Sequence, residues 1–219
     1  MNIKVCGITQ FRQLQQLDGL NIDFAGFIFF KDSPRYVVGE ISPNEMRSAD
    51  FDIKKVGVFV NASYDEIIQI VEDYGLDVVQ LHGDETPELC EQLSEDVEVI
   101  KAFRIAENTA AIDELVEDYD EVCDYYLFDT LSSGTLPEQK DVKAAVGGTG
   151  QKFDWKKVSK SKIEKPFFLS GGISVDDIAK LKAFKHPDFY GIDINSRFEK
   201  SPGIKDMALL LQLKQGLKK

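Results

Sequence analysis

Eight short apolar runs, recurring about every 20 to 30 residues, constrain the fold of this chain more than any other feature. They lie at 3–6, 24–29, 56–60, 78–81, 97–103, 125–128, 166–169 and 189–194. Most of these runs are nearly continuous rather than alternating with polar residues, which is typical of strands covered on both faces in a parallel sheet. We therefore predict eight buried strands.

Segments with a helical spacing of their apolar residues lie between the predicted strands. Four of them follow a serine or threonine that predicts a helix start: Thr9, Ser63, Thr86 and Ser174. A hydroxyl oxygen at such a position accepts a hydrogen bond from an N–H group of the first helical turn. Two further helices are predicted at 111–118 and 206–217, while the segments after strands two and six are less regular.

Eight strands that alternate with helices allow either an eight-fold barrel or an open doubly wound sheet. The first strand is not followed by a Gly-x-Gly-x-x-Gly turn, which argues against a dinucleotide-binding sheet. The 219 residues suffice for a compact barrel, since such barrels begin at ~200 residues. No linker divides the chain, so we predict an α/β fold with one domain over residues 1–219, a single (β/α)8 TIM barrel with eight parallel strands.

The charge balance argues against several classes of partner. The chain carries 26 lysines and arginines against 38 aspartates and glutamates, a net charge of −12, and it has no basic stripe for nucleic acid. An anionic ligand must be held by a few well-placed cations and backbone N–H groups, because the overall field repels it. The longest apolar run, 24–30, is too short for a membrane span, and the N-terminus does not resemble a signal peptide. We therefore expect a cytoplasmic protein without a membrane partner.

The cysteines and histidines do not form a metal-binding pattern. Cys6, Cys90 and Cys123 are widely separated and contain no CxxC pair, which argues against a zinc site or a disulfide framework. His82 and His186 have no second histidine or carboxylate at ligand spacing. We therefore expect no metal, and we interpret Cys90 and Cys123 as core residues.

The carboxyl ends of the strands carry the catalytic residues in barrels of this kind. The residues at these positions include a thiol, a carboxyl group, an arginine and a histidine, and they lie at 6–7, 31–35, 61, 82–84, 104, 129–130, 170–172 and 193–197. Cys6 and Asp129 end strands one and six and are expected to face the same mouth. A thiolate can remove a proton and a carboxylic acid can donate one, so this pair suits acid–base catalysis.

Lys4 precedes Cys6 by two residues and is therefore predicted to lie on the same inward face of strand one. Asp193 on strand eight becomes its neighbour once the barrel closes. The two charges then form either a buried structural ion pair or a pair that tunes the Cys6 thiol. Tuning matters because an ordinary thiol pKa of ~8.5 leaves only a small fraction of thiolate at neutral pH.

Two turns suit a phosphate group. Gly171-Gly172 follows strand seven and Asn195-Ser196 follows strand eight, where barrels often bind phosphate through backbone N–H groups. Ordinary strand-to-helix turns are the alternative. The segment 130–152 is longer than most loops and contains glycines at 147, 148 and 150. It is either a cover over the site or a surface insertion.

Short motifs spread in order over nearly the whole chain match one known family. They are KVCGIT at 4–9, SPRYV at 33–37, VGVFVN at 56–61, QLHGDE at 80–85, FDT at 128–130, GGTG at 147–150, FDW at 153–155, SGGI at 170–173, GIDINS at 191–196 and SPGIKD at 201–206. Together they resemble the phosphoribosylanthranilate isomerases of tryptophan biosynthesis. No single motif would suffice for this resemblance, but the set is highly specific.

The resemblance implies a cofactor-free Amadori rearrangement, in which N-(5-phosphoribosyl)anthranilate becomes 1-(2-carboxyphenylamino)-1-deoxy-D-ribulose 5-phosphate. Asp129 matches the family's general acid, which opens the ribose ring, and Cys6 matches the general base, which removes the proton from C2. Arg35 matches the arginine that binds the anthranilate carboxylate, a contact suited to the planar guanidinium group. The family's phosphate-binding turns match Gly171, Gly172, Asn195 and Ser196.

One departure from the family pattern and several alternatives stay open. Many members have a glycine after the serine of the last turn, where this chain has Arg197, which either contacts the phosphate or points to solvent. The isomerases of histidine biosynthesis perform the same chemistry but carry an aspartate at the position of Cys6. A barrel acting on both substrates, a decarboxylase or synthase, and a silent binding module are the other hypotheses. The expected partner is a small phosphorylated substrate, and the protein is expected to be a monomer or homodimer.

Overall fold

Eight parallel strands close into a barrel in the computed structural model, which describes residues 1–105, 109, 111–130 and 155–218. The strands are β1 (Asn2–Val5), β2 (Phe24–Ile28), β3 (Lys54–Phe59), β4 (Val78–Leu81), β5 (Glu98–Ile105), β6 (Tyr125–Thr130), β7 (Phe167–Leu169) and β8 (Phe189–Ile194). Each strand pairs with the next in the chain, and β8 returns to β1. The predicted (β/α)8 barrel is confirmed.

Helices follow most of the strands. They are α1 (Phe11–Gly19), α2 (Pro43–Ser48), α3 (Tyr64–Tyr74), α4 (Pro87–Ser94), α5 (Ile112–Val116), α6 (Ile178–Ala183) and α7 (Met207–Lys218). Single 3-10 turns lie at 117–119, 158–160, 175–177 and 196–198. A short antiparallel hairpin, β9 (Glu199–Ser201) with β10 (Ile204–Lys205), stands between β8 and α7 and was not predicted from the sequence.

The helix-start predictions differ in their accuracy. Ser63 caps α3 by accepting a hydrogen bond from the backbone N–H of Glu66, whose carboxylate in turn accepts from the backbone N–H of Ser63. The helix ends at Gly75 in a left-handed conformation, as glycine readily does. Thr9, in contrast, does not cap α1, which begins two residues later, because its hydroxyl donates to the carbonyl oxygen of Gly203 at 2.8 Å.

The barrel interior is packed at its amino-terminal end and polar at its carboxyl end. Side chains from six strands form the lower layer: Phe24, Val56, Val78, Ile100, Ala102, Leu127 and Phe168. Phe24 and Phe168 meet edge to face with ring centroids 5.3 Å apart. A larger apolar layer packs the outside of the strands against the helices. Because these side chains fill the amino-terminal part of the barrel interior, the carboxyl ends of the strands are where a site can form.

Two further expectations concern the chain as a whole. Among the described residues, no helix is both long enough and apolar enough to cross a membrane. The predicted cover over the site falls on 130–152, of which 131–152 lie outside the described residues.

Candidate active site

A cavity opens at the carboxyl ends of the strands. Its walls include six of the seven residues to which the family resemblance gives a role: Cys6, Asp129, Gly171, Gly172, Asn195 and Ser196. Gln80, His82, Asp193 and Arg197 also line it, together with apolar groups of Ile28, Val58 and Val60. Arg35 is not among the lining residues. The cavity therefore brings a thiol and a carboxyl group together with two turns suited to an anion.

The Cys6 thiol lies at the end of β1 above a buried charged pair. Cys6 is 5% exposed, and its backbone N–H donates to the carbonyl oxygen of Ile194 on β8. Lys4 lies below it with its Nζ 2.8 Å from Asp193 Oδ1, which confirms the predicted pair. Burial raises the pKa of the Cys6 thiol, while the ammonium groups of Lys4 and Lys205 act to lower it.

Asp129 ends β6 on another wall of the cavity and is 6% exposed. His82 Nε2 lies 3.4 Å from Asp129 Oδ2, and His82 Nδ1 lies 2.8 Å from Gln80 Nε2. The His82 ring therefore lies between the Gln80 amide and the Asp129 carboxylate. Sequence reasoning placed His82 at the mouth of the barrel and weighed it as a metal ligand, but it did not predict these two neighbours. The signal for the contact with Gln80 was the i, i+2 spacing of the two residues at the end of β4.

The glycine turn after β7 has an unusual backbone. Gly171 and Gly172 have φ values of +93° and +62°, a left-handed region that residues with a Cβ rarely adopt. In the turn after β8, Asn195 Oδ1 accepts a hydrogen bond from Lys205 Nζ at 2.7 Å. A buried ammonium group therefore stands directly behind the second turn, which favours an anion in front of it.

Arg35 is held by an acidic partner that the sequence analysis did not identify. Its Nε and Nη2 lie 2.9 Å and 2.7 Å from the two carboxylate oxygens of Glu199 in β9. Lys205 Nζ binds the same carboxylate at 2.8 Å. Although burial acts to raise the pKa of Glu199, the two cations hold it below its usual value. Arg35 also packs against Gly7, the residue that follows Cys6.

A further buried ion pair fixes the loop after β4. Lys101 Nζ lies 2.8 Å from Glu85 Oε2 and also donates to the carbonyl oxygen of Gly83. The Glu85 carboxylate accepts the backbone N–H groups of Asn61 and Gly83. Burial acts to raise the pKa of Glu85, but Lys101 and these N–H groups hold it below its usual value. The loop that follows His82 is thereby tied to β5 and to the end of β3.

The remaining cysteines lie away from the cavity. Cys90 and Cys123 are free thiols buried in the layer outside the barrel. In the part of the chain that the structure describes, no cluster of three or more His, Cys, Asp or Glu side chains could hold a metal ion.

A closed eight-stranded barrel with a polar cavity at the carboxyl ends of its strands defines a (β/α)8-barrel enzyme. The family model described as N-(5'phosphoribosyl)anthranilate (PRA) isomerase matches residues 3–215. The chain belongs to this family, whose members are isomerases of tryptophan biosynthesis.

Individual relatives agree with the family assignment. An N-(5'-phosphoribosyl)anthranilate isomerase of Parabacteroides distasonis is 41% identical over 94% of this chain and 89% of its own length. A solved phosphoribosyl anthranilate isomerase from Thermotoga maritima is 29% identical, covers 100% of this chain and 98% of its own, and superimposes with a TM-score of 0.78. Another, solved in complex with reduced 1-(o-carboxyphenylamino)-1-deoxyribulose 5-phosphate, is 27% identical with the same coverage and a TM-score of 0.76.

Proposed function

We propose that this protein catalyses the Amadori rearrangement of N-(5-phosphoribosyl)anthranilate, with Cys6 as general base and Asp129 as general acid. The observation that carries the proposal is the presence of this thiol and this carboxyl group on the walls of one cavity that also holds two anion-suited turns. The complex of a solved relative with a reduced form of the expected product supports the choice of substrate.

The reaction needs one proton donor and one proton acceptor. Asp129 protonates the ribose ring oxygen, the bond from C1 to that oxygen breaks, and a Schiff base with the anthranilate nitrogen forms. The Cys6 thiolate then removes the proton from C2, which gives an enolamine that tautomerises to the ketone. No net oxidation occurs, so the step needs no redox cofactor. The His82 ring, whose Nε2 lies 3.4 Å from Asp129 Oδ2, is assigned the role of orienting the carboxyl group toward the ring oxygen.

The two charged ends of the substrate are assigned to different places. The phosphate is assigned to the cavity, and the carboxylate to Arg35, which does not line the cavity but packs against Gly7, the residue after Cys6. The phosphate binds at the turns formed by Gly171, Gly172, Asn195 and Ser196, with the Lys205 ammonium behind them. The anthranilate carboxylate binds Arg35. Because Glu199 engages Nε and Nη2 of that guanidinium group, we assign Nη1 to the substrate. These local cations offset the net charge of −12, which repels an anionic substrate.

The proposal is tested by turnover of freshly generated N-(5-phosphoribosyl)anthranilate, with no cofactor added. We expect conversion by the wild-type protein and a loss of about 10²–10⁴-fold in kcat for Cys6→Ser, because a hydroxyl group is a far weaker base than a thiolate. Cys90→Ala is the matched control, since it removes a buried thiol that does not line the cavity. Conversion of the corresponding histidine-pathway substrate alone would contradict the proposed substrate. Wild-type kinetics for Cys6→Ser would contradict the proposed base.

A further inference from the structure

Lys4 is a fully buried lysine inside the barrel. Its side chain is 0% exposed, whereas lysine is almost never fully buried in proteins unless it is paired. Its ammonium group lies 2.8 Å from the carboxylate of Asp193, which pairs in register with Lys4 between β1 and β8. The other oxygen of Asp193 lies 3.4 Å from the hydroxyl of Ser170, the residue directly after β7. The ammonium group is thereby held in one position on the inner wall.

Lys4 also lies beside the Cys6 side chain. Cys6 follows β1 directly and stands two residues after Lys4, so both side chains face the inside of the barrel. The space at Gly26 on β2 borders both groups. A Cβ at Gly26 would lie 3.0 Å from Cys6 Sγ and 3.2 Å from Lys4 Nζ, closer than ordinary van der Waals contact. The thiol and the ammonium group therefore converge on the same small space, which a structural ion pair with Asp193 alone would not need.

The apolar surroundings of the Cys6 thiol disfavour the thiolate, and a nearby positive charge is needed to offset this effect. Ile28 of β2 and Val58 of β3 contact Cys6, and this apolar burial raises the pKa of the thiol. Among the charges that act on Cys6, Lys4 and Lys205 favour the thiolate and Asp193 disfavours it, with Lys4 the strongest of the three.

The opposite wall of the cavity carries two further titratable groups. His82, directly after β4, and Asp129 of β6 line the same cavity, and they face each other at 3.4 Å. Lys4 is the cation that precedes the thiol on the thiol's own strand.

We propose that Lys4 is a positioning residue whose nearby positive charge stabilises the thiolate of Cys6, and that Asp193 holds the ammonium group in place. The inference rests on the proposed role of Cys6 as the base. It adds the group that stabilises the ionised form of the thiol, which is the form that can accept a proton. Asp193 then has two opposed effects, since it positions Lys4 but also repels the thiolate.

The test measures the ionisation of Cys6 without substrate. The rate of alkylation of Cys6 by iodoacetamide, followed by peptide mass spectrometry as a function of pH, reports its thiolate fraction. The midpoint is the pH at which the alkylation rate of Cys6 reaches half of its maximum. Lys4→Met is expected to raise this midpoint by about one pH unit or more, as loss of an adjacent opposite charge does. Asp193→Asn is expected to lower it. Lys101→Met is the matched control, because it removes an equally buried ammonium group, paired with Glu85, that does not line the cavity.

A double variant tests the inference even if Lys4→Met alone does not fold. Lys4→Met leaves Asp193 buried and unpaired, whereas Lys4→Met with Asp193→Asn removes both charges. We expect the double variant to have a midpoint above that of the wild type, because the lost ammonium outweighs the lost carboxylate. Equal midpoints in the wild type, the double variant and Asp193→Asn would overturn the inference.

The pH profile of turnover separates this inference from the proposed function. In Lys4→Met and in the double variant, the part of the profile in which kcat/KM rises with pH should shift to higher pH, together with the alkylation midpoint. A wild-type protein that does not convert the substrate would refute the proposed function whatever the alkylation shows. Conversion by the wild type with an unmoved thiol midpoint in these variants would refute the role of Lys4 alone.

Discussion

Gly7 follows the candidate base Cys6 and packs against the Arg35 side chain, so Gly7→Ala perturbs the contact between these two parts of the site. Gly7 has φ +77°, where an L residue costs ~1–2 kcal/mol. The added Cβ would also lie 2.6 Å from Arg35 Cδ and 2.9 Å from Asn195 Oδ1. Arg35 cannot swing away cheaply, because Glu199 holds its guanidinium group at two points. Overpacking of this kind adds ~1–3 kcal/mol, so we expect the free energy of unfolding to fall by about 2–5 kcal/mol.

The assay is equilibrium unfolding in urea, with Gly39→Ala as the matched control. Gly39 has φ +91°, but a Cβ there would meet nothing within 4 Å. The control therefore carries the backbone strain alone, and its loss of ~1–2 kcal/mol should be clearly the smaller of the two. Adding Arg35→Ala to Gly7→Ala removes the closest clashing atom and should make the two losses less than additive. Equal losses for Gly7→Ala and Gly39→Ala would refute the close packing inferred between Gly7 and Arg35.

Two further predictions concern the acid and the pH dependence of stability. His82→Gln removes the ring nitrogen that lies 3.4 Å from the Asp129 carboxyl group. Because a single polar contact contributes ~0.5–1.5 kcal/mol, steady-state kinetics should show kcat lower by about 2- to 10-fold. Unchanged kcat would exclude His82 from positioning the acid. Glu85 and Glu199 have pKa values held below normal, so their contribution to stability is complete above the unfolded pKa of ~4.3 and is lost as the pH falls through the folded values. The urea midpoint should therefore drop on acidification below about pH 4.5, and less steeply in Glu85→Gln, whereas identical slopes would contradict this origin.

The barrel could be predicted because its strands are buried on both faces. Such strands read as continuous apolar runs, and β2 and β8 lie within one residue of their predicted bounds. The ends of other elements depended on contacts that no local pattern reveals. Thr9 is an example, because its hydroxyl binds the carbonyl of Gly203, which lies 194 residues away in the chain. The hairpin of β9 and β10 is too short to leave an alternating pattern.

The candidate site followed from topology more than from any one motif. Once eight strands were assigned, the residues after each strand had to meet at one mouth, and the spacing of Lys4 and Cys6 with barrel closure predicted the contact with Asp193. The pairing of Arg35 with Glu199 could not be foreseen, since 164 residues separate the partners and the hairpin that carries Glu199 was itself unpredicted. Long-range side-chain partners of this kind become visible only in the folded chain.

Binding and turnover measured side by side for Cys6→Ser and Asp129→Asn test the central claim most directly. Reduced 1-(o-carboxyphenylamino)-1-deoxyribulose 5-phosphate would serve as the binding probe, and N-(5-phosphoribosyl)anthranilate as the substrate. We predict that both variants bind the probe about as tightly as the wild type while kcat falls by about 10²–10⁴-fold, because each variant removes a proposed proton-transfer group and leaves the turns proposed to bind phosphate intact. Wild-type turnover in either variant, or a loss of turnover fully explained by lost binding, would contradict the assignment of Cys6 and Asp129 as base and acid.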